Sequence, residues 1–276
     1  EILQHAVIGV GGMGSGHVGY VLGDKTARLA AICDVDKGHL ERAQKRGGSD
    51  CKAYTDFREL IANGGIDIAH VPTPPHWHAL ISIACANAGM DVWCEKPMTR
   101  TIGEGKHVIE AIQRNGRMFR LNTWFRLHSG LYGFGSEAKP IKKLVASGAL
   151  GFPLTARVSQ HTGFNWKVKM WTGKVGVKSE PVPAGFDYDL WLGPAPFKPY
   201  FRHRTHGSFR GYWDYDGGGL ADMGQHYLDA LQYILDKDDT SPVEIEATAP
   251  WPVHHDAVGI WGMVEMKYAD GTDRKS

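Results

Sequence analysis

Gly217–His226 (GGGLADMGQH) is the segment whose residue types and spacing point most directly to chemistry. Three glycines lead into a helical run that sets Asp222 and His226 four residues apart. Positions i and i+4 share a helix face, so the carboxylate can orient the imidazole. An imidazole that changes charge near neutral pH can take the proton of a hydroxyl. The same spacing also describes an ordinary solvated pair. Lys96, in Glu95-Lys96-Pro97 after an apolar run, is the second candidate. An ammonium there would stabilise charge developing on a substrate oxygen, and a Lys-Pro at a strand end is otherwise plain punctuation. No C-x-x-C pair occurs and no third ligand has a persuasive spacing, so no metal site is expected.

A third constellation opens the chain. Gly9-Val10-Gly11-Gly12-Met13-Gly14 matches G-x-G-x-x-G, with the apolar run His5–Val10 before it and a helix expected from about Gly14. Gly9 permits a sharp turn, Gly11 lets a pyrophosphate approach the backbone, and Gly14 allows close helix–strand packing, with the helix N-terminus facing the phosphates. Asp34 closes the second strand 20 residues after Gly14. A carboxylate there accepts from ribose hydroxyls and repels a 2′-phosphate, which favours NAD over NADP. Val71–His78 (VPTPPHWH) lies where the strand expected at 66–71 ends. Thr73, Pro74 and His76, with Glu95 and Lys96 at the next strand end, are placed to flank the cofactor, although Trp77 and His78 could simply pack.

The elements that must position these groups follow from the pattern of apolar runs. Strands are expected at 5–10, 28–33, 66–71, 90–94 and 117–122, with helices at 37–46, 56–62, 77–88 and 101–115. Alternating strands and helices imply a doubly wound parallel sheet, an N-terminal Rossmann domain over 1–122. The rhythm then breaks. A helix at 140–147 and a strand at 152–161 precede about 50 irregular residues. A helix over 220–235 and alternating strands at 243–250 and 258–268 come next, and the chain ends in a turn followed by nothing. Residues 123–276 read as an α+β domain with an open, mostly antiparallel sheet. The aromatics of the irregular stretch, interleaved with arginines, suit a polyhydroxylated ring as well as they suit a core. His161, Asn165 and Trp166, at the end of the first strand of this domain, would line a sugar pocket.

Lys plus Arg number 31 against 30 Asp plus Glu, so no charge excess argues for nucleic acid or an anionic membrane, and no apolar run spans a bilayer. Cys33 and Cys94 lie in apolar runs, as small hydrophobes do. A cytoplasmic location is the expectation, with export the alternative because the chain opens at Glu1.

Jointly, VIGVGGMG (Val7–Gly14), the EKP of Glu95–Pro97, GGGLADMGQH and DYDLWLGPAPFKPY (Asp187–Tyr200) resemble the glucose–fructose oxidoreductase / inositol dehydrogenase / MocA family. The resemblance runs from about residue 5 to 268. It implies a Rossmann domain followed by an open-sheet α/β domain, and NAD(P)-dependent oxidation or reduction of a sugar or cyclitol hydroxyl. Carried over, Lys96 would bind the reacting oxygen and the Lys96–Pro97 bond would be cis. Asp222 and His226 would form the dyad, with His226 the acid/base. It also implies a homodimer or homotetramer, and more C-terminal sheet than this chain has. Within the class the expectation is oxidation of a glucoside at carbon 3. The alternatives are a glycoside-cleaving or isomerising enzyme that recycles its NAD in place, and a non-catalytic NAD sensor.

Overall fold

The computed structural model describes residues 2–123, 138–158, 167–248, 254–259 and 262–275. The chain forms two compact units. The first comprises residues 1–122 with Gly176–Phe209 and Asp214–Asp216; the second comprises 123–175, Arg210–Trp213 and 217–276.

In the first unit a six-stranded parallel sheet takes the order β3-β2-β1-β4-β5-β6. Its strands are β1 (Leu3–Ile8), β2 (Ala27–Cys33), β3 (Lys52–Tyr54), β4 (Ile68–Val71), β5 (Asp91–Glu95) and β6 (Phe119–Asn122). The helices between them are α1 (Gly12–Gly23), α2 (Lys37–Gly47), α3 (Phe57–Asn63), α4 (Pro75–Asn87) and α5 (Ile102–Arg114). The doubly wound parallel sheet is as expected. Alternate residues of β1 serve the two faces, Ala6 and Ile8 with one core and Val7 with the other, because a parallel sheet is covered on both sides. Helix starts are capped where the sequence supplies acceptors. Asp36 caps α2, Asp56 caps α3, and Thr101 with Glu104 makes a capping box on α5. Helix α1 starts without a side-chain acceptor, two residues earlier than expected, with Gly11 as N-cap. β3 was not expected, since three residues carry too little periodicity to read.

The strand order reverses at β1 and β4, and the ligand crevice of such an open sheet lies outside the carboxyl ends of the strands there. Gly9, Asp34, Thr73 and Lys96 all follow strand carboxyl ends. Gly176–Phe209, expected to be irregular, folds partly into α8 (Tyr188–Leu192) and helical turns at Arg202–Arg204 and His206–Gly211. It attaches just beyond the carboxyl end of β2, through Asp187 N to Val35 O at 2.9 Å and Lys37 N to Gly185 O at 2.8 Å. Gly193, at φ +50°, stands where a Cβ would lie 2.0 Å from the Trp77 ring, so only glycine fits.

The second unit holds α6 (Ala138–Ala146), the single turn α7 (Val168–Trp171), α9 (Gln225–Ile234) and a four-stranded sheet in the order β7-β10-β9-β8. Its strands are β7 (Thr155–Arg157), β8 (Glu244–Thr248), β9 (Met263–Lys267) and β10 (Asp273–Lys275). Two of its pairings are antiparallel and β10–β7 is parallel. The chain end, expected to follow a turn with nothing, pairs as β10. A wider turn replaces the expected helix start at Leu220. Leu220–Gly224 is a π-turn in which Gln225 N reaches back to Leu220 O, and α9 follows. Such turns often mark functional sites.

No helix among the described residues is long and apolar enough to cross a membrane. Cys33, Cys51, Cys85 and Cys94 are all free and buried, as the apolar setting of Cys33 and Cys94 suggests.

Candidate active site and cofactor cradle

The glycine turn after β1 is closed by hydrogen bonds and sterics. Gly9 N donates to Cys33 O at 2.7 Å, and Gly9 takes φ +93°. A Cβ on Gly14 would lie 1.8 Å from Gly9 O, so helix and turn touch backbone to backbone. Gly12 has nothing within 4 Å of a Cβ, and Met13 is exposed. The uncapped start of α1 leaves amide donors for an anion.

Asp34 is buried, with one oxygen accepting from Val10 N and the other from Asp36 N, each at 2.8 Å. These bonds hold the carboxylate beside the glycine turn with lone pairs to spare. Thr73 abuts Gly9, and its buried Oγ1 has no partner among the described residues. Free helix-start amides, an anchored acidic acceptor and an orphaned hydroxyl are what an NAD pyrophosphate and ribose need, so these residues fit the cofactor.

His39, which the motif reading missed, stands 3.4 Å from the Asp34 carboxylate. The hydrogen bond to Asp34 holds its imidazole above the usual histidine range, against the opposing effect of burial. Its only sequence signal is its place in the first turn of α2, three residues after the Asp36 cap.

At the next strand ends, Pro74 is the N-cap residue of α4, without a side-chain hydrogen bond, and His76 lies in the first turn of that helix. The His76 Nε2–H donates to Trp191 O at 2.9 Å, and its ring lies against Trp191 and Tyr215. Burial pushes its pKa down to about 3, so it stays neutral. His78 lies between the Thr73 and Pro97 carbonyls, 2.7 and 2.6 Å from its two ring nitrogens. It thus ties the loop after β4 to the Glu95-Lys96-Pro97 turn after β5. The Lys96–Pro97 bond is cis, and Lys96 is buried, 8% exposed.

Glu95, last in β5, is also buried. Burial would raise its carboxyl, but hydrogen bonds from His17 and Asn122, with the Lys96 charge, outweigh it and hold it below the usual range. His17, on the buried face of α1 with Gly14, Val18 and Val21, was missed. A lone histidine on an apolar helix face was its only sign.

In the second unit Asp222 is 2% exposed. Trp171 Nε1 donates to its Oδ2 at 2.9 Å, Lys167 Nζ lies 3.4 Å from the same oxygen, and Arg210 Nε stands 2.9 Å from Oδ1. A buried carboxylate among two cations and an indole is built to stay ionised. His226 follows in the first turn of α9 and is buried. His161, Asn165 and Trp166 lie outside the described residues.

The family model for the oxidoreductase NAD-binding Rossmann fold matches residues 3–123, and that for the oxidoreductase C-terminal alpha/beta domain matches 134–274. The chain belongs to the Gfo/Idh/MocA oxidoreductase family. Its first unit accordingly carries an NAD-binding Rossmann domain.

Among curated members of the family, the myo-inositol 2-dehydrogenase of Thermotoga maritima is 31% identical over 157 residues, 57% of this chain and 45% of that protein. A glycosyl hydrolase family 109 protein of Shewanella baltica is 26% identical over 186 residues, 64% of this chain and 39% of that one. The chain spans about half the length of the inositol dehydrogenases it matches. Among solved structures, the WlbA dehydrogenase of Bordetella pertussis, in complex with NADH and UDP-GlcNAcA, superposes with a TM-score of 0.71 at 20% identity. That alignment covers 100% of this chain and 70% of WlbA, a likeness of fold.

Proposed function

We propose that this protein is an NAD-dependent dehydrogenase that exchanges a hydride with a ring carbinol of a sugar, glycoside or cyclitol. One observation carries the reading: a buried lysine, Lys96, stands at the carboxyl end of β5, beside a strand-end loop that abuts an intact dinucleotide turn. NAD, when bound, supplies the hydride acceptor. Gly9, Gly11, Gly12, Met13 and Gly14 receive its pyrophosphate, Asp34 its ribose, and Thr73, Pro74, His76 and Glu95 flank it. Lys96 holds the reacting oxygen and stabilises its developing charge. His226 takes the hydroxyl proton, and Asp222, kept ionised by Arg210, Lys167 and Trp171, orients it and stabilises the imidazolium. His161, Asn165 and Trp166 contact the ring. Holding the carbinol in contact with its acceptor contributes up to about 7–11 kcal/mol towards the barrier.

Within the class, oxidation of a glucoside at carbon 3 is the favoured reaction, and the working assembly is a homodimer or homotetramer. The test is a panel of myo-inositol, free sugars and alkyl glucosides with NAD, read as NADH formation. Activity on at least one ring polyol is expected, and none on any would remove the reading. The likeness to a glycosyl hydrolase family 109 protein favours a second reading, cleavage of a glycoside through transient oxidation with NAD recycled in place. Aglycone release without NADH accumulation separates the two.

A further inference from the structure

Three buried histidines inside the Rossmann unit form a continuous file that the proposed chemistry does not use. His5 Nδ1 lies 2.9 Å from His70 Nε2, His70 Nδ1 lies 2.9 Å from His17 Nδ1, and His17 Nε2 lies 2.9 Å from Glu95 Oε1. The file joins β1, β4, α1 and β5 across the sheet. His17 and His70 are 0% and 1% exposed, His5 is 8%, and so solvent reaches only the outer ring. At the inner end Asn122 donates to Glu95 Oε1 at 2.5 Å, and the buried Glu95 Oε2 has no partner among the described residues.

An ionised Glu95 fixes every hydrogen in the file. The carboxylate only accepts, so His17 carries its hydrogen on Nε2 and accepts on Nδ1. His70 must then donate from Nδ1 and accept on Nε2, and His5 must donate from Nδ1. Each neutral ring has one N–H to give, and the count closes. This register leaves a lone pair at His5 Nε2, facing the end that water and the Asp24 and Asp67 charges reach.

We propose that His5, His70, His17 and Glu95 are a proton relay through which solvent sets the charge of the Glu95–His17 pair behind Lys96. A proton bound at His5 Nε2 displaces the His5 Nδ1 hydrogen to His70 Nε2. The His70 Nδ1 hydrogen then moves to His17 Nδ1, and the Glu95–His17 pair holds the added proton. Each ring forms one N–H bond and breaks one, except that His17 keeps both if the carboxylate stays ionised. The return runs the same steps backwards to water, so no ring has to rotate.

The consequence rests on the proposed role of Lys96. An ionised Glu95 competes with the substrate oxygen for the lysine charge. Once the pair is protonated, that charge is left to the oxygen as it becomes anionic. His5, His17 and His70 are therefore positioning residues for the reaction. Burial pushes the His70 pKa down to about 3, with further repulsion from its two neighbours, so the middle ring passes protons without storing one. The charged groups facing the file are Asp24 and Asp67 at its outer end and Lys96 at its inner end. Arg120, stacked on Trp93, which in turn stacks on His70, flanks the middle.

Long-range proton–nitrogen correlation on histidine-labelled full chain tests the wiring without substrate. Above the titration the expected hydrogens are on His17 Nε2, His70 Nδ1 and His5 Nδ1, and all three rings should exchange register at a single midpoint on acidification. A different hydrogen pattern, or His5 titrating alone, overturns the relay.

The second arm uses whichever polyol is turned over. In mixed light and heavy water the wild-type rate should bow, reporting several hydrogens in motion. His70→Phe keeps the stack on Trp93 and should straighten that plot and lower kcat about tenfold, with KM within about twofold. His5→Phe, at the rim, should do the same if His70→Phe does not fold. An identical bowed plot in the folded variants refutes the relay. Failure to oxidise any polyol instead refutes the dehydrogenase reading, and the nitrogen spectra alone then decide the relay.

Discussion

Trp171 gives its indole hydrogen to Asp222 Oδ2 at 2.9 Å, while Arg210 faces the other oxygen at the same distance. This pairing fixes the carboxylate from a different part of the unit than the helix bearing His226. Trp171→Phe removes one hydrogen bond to a charged acceptor, which contributes about 1.5–3 kcal/mol. The expected result is a lower denaturant midpoint with unchanged slope, followed by circular dichroism. No change in midpoint would show that the indole hydrogen contributes nothing.

The glycine turn allows a paired test. Gly14→Ala drives a methyl into Gly9 O, where 1.8 Å is available, and the backbone must shift. Overpacking of this kind costs about 1–3 kcal/mol, and NADH affinity, followed by fluorescence, should fall at least about tenfold. Gly12→Ala meets nothing within 4 Å and adds helix propensity. It should melt within about 1 kcal/mol of the parent. Equal melting of the two variants would contradict the packing argument.

In the proposed site Asp34 selects the cofactor, and its carboxylate braces the turn through Val10 N and Asp36 N. Asp34→Ser should weaken NAD about 10–100-fold, equivalent to roughly 1.4–2.8 kcal/mol, and narrow or reverse the preference over NADP. Titration of both cofactors measures the ratio, and a preference that stays the same would place the discrimination elsewhere.

Stability towards acid follows from the buried rings. His70 and His76 have native pKa values pushed down to about 3 by burial, whereas the unfolded rings titrate near about 6.5. Between these values the unfolded chain binds more protons, so stability falls as pH falls. The loss is about 1.4 kcal/mol per pH unit for each ring. Burial lowers His5, His78 and His206 in the same sense, so from pH 6.5 to 5 the denaturation free energy should drop steeply, and His76→Phe should make that slope shallower without abolishing it. A flat profile would mean that these rings are charged in the native state.

Much of the first unit was legible because its rules are local. Gly9, Gly11 and Gly14 are required by φ and close approach, Asp34 follows a strand by fixed spacing, and strands buried on both faces read as apolar runs. The Tyr188–Leu192 helix and its attachment to β2 were not legible, since its aromatics pack by tertiary shape rather than periodicity. The partners of Asp222 escaped for a similar reason. Arg210 and Trp171 are distant in sequence from Asp222, and no spacing rule joins them. The π-turn at Leu220–Gly224 hid because its sequence reads like an α-helix start. His17 and His39 carried one faint sign each, a polar ring where the local pattern asks only for packing.

Lys96 bears the central claim. Lys96→Ala should bind NADH within about twofold of the parent by fluorescence titration and retain its melting temperature to within a few degrees. Oxidation of the preferred polyol should fall at least about a thousandfold, corresponding to about 4 kcal/mol of transition-state stabilisation. A variant that binds cofactor and turns over polyol at the parental rate would contradict the account.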